Sequence, residues 1–243
     1  MSSVYFKELG QFFSSLTGYM VLIIFLLITG LFTWVFASTS IITYNYASLS
    51  QLFSIAPLVL MFLIPAVTMQ SFAQEHQLKT MEFLNTKPLT DTQIIFGKYF
   101  ACITLVALAV LPTLIYYISV RELGLPKGNI DNGAVMGSYV GLMFLASIFV
   151  AIGLFMSSLT ENQIVAFILT AFTCFGMYFA FSFIGDMPMF YGKSDDLVRY
   201  FGIEYHYNNI NKGRIDTRDV VYFISFSGMF LWMTLASLSR RKW

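Results

Sequence analysis

The sequence predicts an all-α membrane protein with six transmembrane helices, on three observations. Of its 243 residues, 57% are hydrophobic and only 11% are charged. Soluble domains carry about 25% charged residues, so this chain lacks the polar surface that water demands. Six stretches, 18–38, 52–73, 99–120, 134–157, 163–185 and 220–239, contain no formal charge. Each approaches the roughly 20 apolar residues that cross a hydrocarbon core. The charges gather in islands between these stretches, one of them at 74–98. The net charge of +1 gives no reason to expect nucleic acid.

The N-terminal segment 1–17 precedes the first span. Tyr5, Leu9, Phe12, Phe13 and Leu16 recur at helical spacing and make one apolar face, with Ser3, Lys7, Gln11, Ser14 and Ser15 away from it. Such a helix is expected to lie flat in the headgroup layer, in contact with lipid. The plainer alternative is the partly inserted start of span one. The 18–38 run is too long for the apolar core of a cleaved signal peptide. The chain reads as a single domain of packed helices.

The island at 74–98 is the feature that needs explaining. No Asp, Glu, Lys, Arg or His occurs in the 66 residues before Glu75, and none in the 22 after Lys98. Within it, Leu78, Met81 and Leu84 form a narrow apolar stripe, and Glu75 and Lys79 stand four apart as a helical ion pair. Pro88 stops that helix, and Thr90-Asp91-Thr92-Gln93 reads as a capping box that opens the next. An ordinary solvated hairpin needs fewer residues. A short striped helix at a membrane surface suits a groove on a partner protein.

These residues carry a resemblance. Glu75, Thr80, Glu82-Phe83-Leu84, Thr86, Pro88 and Gly97-Lys98 resemble the E…GT-E-LLT-P…GK segment of ABC-2 type permeases, with Lys79 where that family has glycine. The resemblance implies the six-helix ABC-2 (type V exporter-like) fold. It implies that 74–98 is a cytoplasmic coupling segment in which Lys79, Thr80, Met81, Glu82, Phe83, Leu84, Asn85 and Thr86 dock on an ABC ATPase subunit. The N-terminal helix would be the family's connecting helix. Leu63–Met69, Gly128–Asp131, Asn162–Phe167 and the His206…Gly213–Val220 run together look like one branch, the gliding-motility-associated permease subunit. That branch implies a second permease with a large periplasmic domain; an identical second copy is the alternative. A generic ABC-2 exporter of lipid, drug or polysaccharide, and a scaffold that transports nothing, are the rival readings.

Orientation follows from basic residues only in part. With both termini inside, the inner and outer segments hold equal numbers of Lys and Arg. Short loops and span ends weigh most. The 39–51 loop has no basic residue, and the last span runs directly into Arg240-Arg241-Lys242. Both termini are therefore expected in the cytoplasm of a bacterium, with a multi-pass chain in the inner membrane.

Other candidates lie elsewhere along the chain. Gly133, Gly137 and Gly141, four apart, let another helix approach span four, either as a dimer seam or within the chain. Pro57, Pro65 and Pro112 should bend their spans. The external loop 186–219 is rich in Tyr and Phe, with a short helix expected around Leu197–Phe201 and an isolated, structural His206. Cys102 and Cys174 read as small hydrophobes without a metal or disulfide role. No Walker A, HExxH or GxSxG pattern occurs, so the chain is expected to do no catalysis and to bind no cofactor. ATP and Mg would sit on the partner ATPase.

Overall fold

The computed structural model describes residues 1–36, 40–41, 48–79, 90–124, 130–187 and 195–240. All its regular elements are helical, and no strand occurs among the described residues. α1 (Ser2–Ser14) lies before α2 (Leu16–Gly30), whose last turn widens into a π-helical segment, Leu31–Val35. α3 (Ser50–Thr68) leads through a turn to the short α4 (Ala73–Gln77). α5 (Asp91–Val110) tightens into a 3-10 turn at Leu111–Thr113 and continues as α6 (Leu114–Leu123). α7 (Asn132–Leu159) and α8 (Gln163–Gly185) follow. Two shorter helices, α9 (Asp195–Tyr200) and α10 (Ile203–Asn211), precede α11 (Thr217–Arg240).

Six helices are long and apolar enough to cross a membrane: Leu16–Val35, Ser50–Gln77, Asp91–Leu123, Asn132–Leu159, Gln163–Gly185 and Thr217–Ser239. Each overlaps one of the charge-free stretches, and the second, third and sixth extend past it to include charged residues. α7 is the centre of the bundle and packs against α3, α5, α8, α10 and α11. Its small and branched residues, among them Ala146, Ile148, Ala151 and Ile152, are fully buried. The peripheral helices α2, α8 and α11 leave most of their length exposed, as helices facing hydrocarbon do.

The prolines act differently. Pro112 sits in the 3-10 turn that separates α5 from α6, where the missing N–H and the ring break the α-helical ladder. Pro57 and Pro65 lie inside a continuous α3. The Phe53 carbonyl, four residues before Pro57, has no helical donor to meet it. It is met from across the bundle by the Tyr207 hydroxyl at 2.7 Å.

Candidate functional site

Four charged side chains converge where α1, α4 and α5 meet. α1 lies close along α5 because Gly97 has no side chain; a Cβ there would sit 2.9 Å from Cβ of Val4. The Tyr5 hydroxyl and Thr104 Oγ1 join the same two helices at 3.1 Å. Val4, Glu8 and Phe12, four residues apart, form the buried face of α1. That stripe carries a carboxylate into the protein. Next to Gly97 stands Lys98, whose side chain is 1% exposed.

The Lys98 ammonium donates to Glu8 Oε1 at 2.8 Å and to the Ser71 carbonyl at 2.7 Å, and lies 3.0 Å from Glu75 Oε1. An ammonium has three hydrogens, and here each has an acceptor. The Phe72 ring lies beside it, 5.2 Å from centroid to nitrogen. Lys7, half exposed at the rim, donates to Glu75 Oε1 at 3.0 Å and stands 3.6 Å from Glu8 Oε1. Two cations thus balance two anions. Taking one such ion out of water costs several kcal/mol, and only close geometry with saturated hydrogen bonds offsets it.

The cluster brackets one segment of chain. Glu75 stands on α4 and Lys98 on α5, on either side of residues 80–89. α4 is itself anchored: Ser157 Oγ on α7 accepts the N–H groups of Phe72 and Ala73 at 3.1 and 3.0 Å and donates to the Met69 carbonyl. On the far side, Thr90 caps α5 and accepts from the Gln93 amide at 3.4 Å, as the capping-box reading expects. Both roots of the segment are therefore held to the bundle.

Some expected positions resolve differently. The Glu75–Lys79 helical pair does not form, because α4 ends at Gln77 and Lys79 turns away with φ of 56°. Glu75 pairs instead with Lys98 and Lys7. Lys79 is exposed, as is Leu78 beside it. Thr80, Met81, Glu82, Phe83, Leu84, Asn85 and Thr86 lie outside the described residues, as do Met189, Phe190 and Tyr191 of the 186–219 loop and Arg241 and Lys242 of the tail. On α1, Phe12 is buried and Tyr5, Leu9 and Phe13 are partly so. Leu16 is not on that face: a break at Ser15 puts it in α2, where it is exposed. α1 also packs on α2 and α5, so its inner face meets protein.

At the other end of the bundle the glycines of α7 meet a helix of the same chain. A Cβ on Gly141 would lie 2.9 Å from Ile210 Cγ2, and one on Gly137 3.0 Å from the Ile210 carbonyl. Gly133 faces Asp131 of its own cap. Gly137 and Gly141 thus pack against α10 within the chain. Ser138 of α7 donates to the Asn211 carbonyl at 3.1 Å. His206 is not isolated. Its Nδ1 lies 2.5 Å from Asp219 Oδ1, its Nε2 2.8 Å from the Tyr200 carbonyl, and its ring stacks on Tyr222 at 4.0 Å. Burial pushes the neighbouring Tyr207 phenol well above its usual range. The expected helix near Leu197 appears as α9, tied by Arg199 to Asp186 at 2.7 Å.

Sequence reasoning missed Glu8 and the role of Lys98. A signal existed: Val4, Glu8 and Phe12 repeat every four residues on a stripe that otherwise points inward. Among the described residues, no three His, Cys, Asp or Glu side chains converge as a metal site would require. Cys102 and Cys174 are free thiols, both buried.

The model of one protein family, described as an ABC-2 family transporter protein, matches residues 36–202. No curated protein matches the chain.

Proposed function

Because the chain belongs to the ABC-2 family of transporters, we propose that it is a permease driven from the cytoplasm through residues 79–86. Family membership gives the coarse frame: a multi-pass membrane subunit that pairs with an ABC ATPase. In this reading ATP and Mg are held on that separate subunit, and this chain performs no chemistry of its own. Both termini, α1 and the 74–98 segment face the cytoplasm of a bacterial inner membrane. The basic residues at the end of the last span and the neutral 39–51 loop support that orientation.

The observation that carries the reading is the charged cluster at the roots of 80–89. A segment pushed by an ATPase transmits force only if both its ends are fixed to what must move. Glu75 and Lys98 fix them to each other, to α1 through Glu8, and to the ends of α3 and α5. Closure of two ATPase subunits would then tilt those helices as a unit and alternate access along a pathway shared with a second permease. That second permease is a homologue with a large periplasmic domain, in keeping with the gliding-motility branch that the Leu63–Met69, Gly128–Asp131, Asn162–Phe167 and Gly213–Val220 runs resemble.

Truncating Met81, Phe83 and Leu84 together to Ala tests the docking surface. The expected result is loss of the co-purifying ATPase, and a fall of at least tenfold in the ATPase activity recovered with the permease. An ATPase that stays bound and equally active overturns the reading. Mass spectrometry of the intact complex tests the branch: a second permease with a large outer domain is expected, and a homodimer of this chain would exclude it.

A further inference from the structure

A groove of about 550 Å³ runs between α5, α7 and α11, on the flank of the bundle. It begins near Thr92 and Leu235 and reaches Tyr99 and Ser227 about 10 Å deeper, taking 1.5 Å per helical residue, with Phe144 and Ile224 beyond them. Its volume suits a small ligand. Its rim residues Ile224 and Trp232 are 61% and 69% exposed, on a helix long and apolar enough to cross a membrane, so the groove opens sideways from the bundle.

The walls are apolar except at the deep end. There Ser147 Oγ and Ser227 Oγ lie 3.1 Å apart, and Tyr99 lines the same end of the groove close to both. Ser147 gives its hydrogen to the Phe144 carbonyl at 2.6 Å. The hydrogen between the two serines therefore comes from Ser227. The trio spends one hydrogen on the backbone and keeps more lone pairs than hydrogens to fill them. It is a small polar group set in an apolar groove, with lone pairs open to a further hydroxyl donor. Interior polar groups of membrane helices commonly mark a pathway or a ligand.

We propose that this groove binds a membrane amphiphile whose tail carries a hydroxyl group about 10 Å from its head. The tail lies along Ile95, Leu231 and Trp232, its head stays at the membrane surface near Thr92, and its hydroxyl donates to the Tyr99–Ser147–Ser227 trio. An unsubstituted tail fits the same slot but leaves the trio unanswered. Recognition here is independent of the ATPase: it depends on the spans alone, so the docking reading can fail without affecting it.

The glycine at 228 makes the test clean. It lines the groove, and a Cβ there would meet nothing within 4 Å, so Gly228→Phe fills the slot without displacing packed atoms. The full-length protein is placed in vesicles of phosphatidylethanolamine and phosphatidylglycerol. It is photolabelled with a stearate bearing a diazirine near its methyl end, and labelling of the α11 peptide is read by mass spectrometry. A mid-chain hydroxystearate is expected to compete at about tenfold lower concentration than stearate, one hydrogen bond's worth. Ser227→Ala should bring the two competitors within twofold of each other. Gly228→Phe should abolish the labelling while leaving thermal unfolding unchanged. Equal competition in the unmodified protein, or labelling that survives Gly228→Phe, overturns the proposal.

Discussion

At one end of the bundle a buried ammonium group sits between two carboxylates. At the other, a phenol hydroxyl meets a carbonyl that a proline has left without its helical donor. The first contact joins α1, α4 and α5, and its partners Glu8 and Lys98 stand 90 residues apart. The second joins α3 and α10, 154 residues apart. Both are long-range and buried, yet the loss of one partner has unequal consequences. An unpaired buried ion costs about 3–5 kcal/mol, whereas an unpaired neutral carbonyl costs about 1–3 kcal/mol. The ionic end also flanks 80–89, the segment proposed to receive force. The end with the hydroxyl–carbonyl contact carries α10, a cover over the glycine face of α7. A strong, brittle fastening suits a lever; a weaker one suffices for a cover.

The largest effect should therefore come from Lys98→Ala. It leaves Glu8 and Glu75 facing each other without their shared cation, and a loss of about 3–5 kcal/mol is expected, read as thermal unfolding in detergent. Lys7→Ala is the internal control. Lys7 touches the same two carboxylates but is half exposed, so its loss should cost under about 1 kcal/mol. If the two variants unfold alike, the distinction between the buried and rim cations is wrong.

That contrast also shows what could be read from the sequence. The spans were legible because a run without charge is a local property, and hydrocarbon imposes it on each helix separately. The α5 cap at Thr90 was legible for the same reason. Glu8 was not. A reading of periodicity treats a carboxylate as polar and turns it outward, away from Tyr5, Leu9 and Phe13. Only a cation from a distant helix makes the inward position tolerable, and no window of sequence contains both. His206 and Asp219 failed for a smaller version of that reason: 13 residues and a turn separate them. The glycines at 137 and 141 announced a close approach but not its partner, because Cβ-free surface fits a helix from any chain.

The second prediction tests that cover. Gly141→Leu drives a side chain into Ile210, which a Cβ alone would approach to 2.9 Å. Overpacking of this kind costs about 1–3 kcal/mol. The expected signature is lower thermal stability together with faster proteolysis at the α10–α11 connection, while the α4–α5 region keeps its protection. Uniform loosening of the whole chain would mean that the two ends are not separately fastened.

The smallest effect is the most specific. Tyr207→Phe keeps the ring and removes only the hydroxyl that reaches the Phe53 carbonyl, and about 1 kcal/mol is expected. The reason for that bond lies elsewhere, at Pro57, whose ring nitrogen has no hydrogen to offer the same oxygen. Pro57→Ala restores the helical donor. In that background the Phe53 carbonyl has a partner on its own helix, and Tyr207→Phe should lose at least half of its cost. A double-mutant cycle on thermal stability measures the difference directly. Costs that simply add would show that the Tyr207 hydroxyl acts independently of the proline, and that the carbonyl it frees plays no special part in holding α10 to α3.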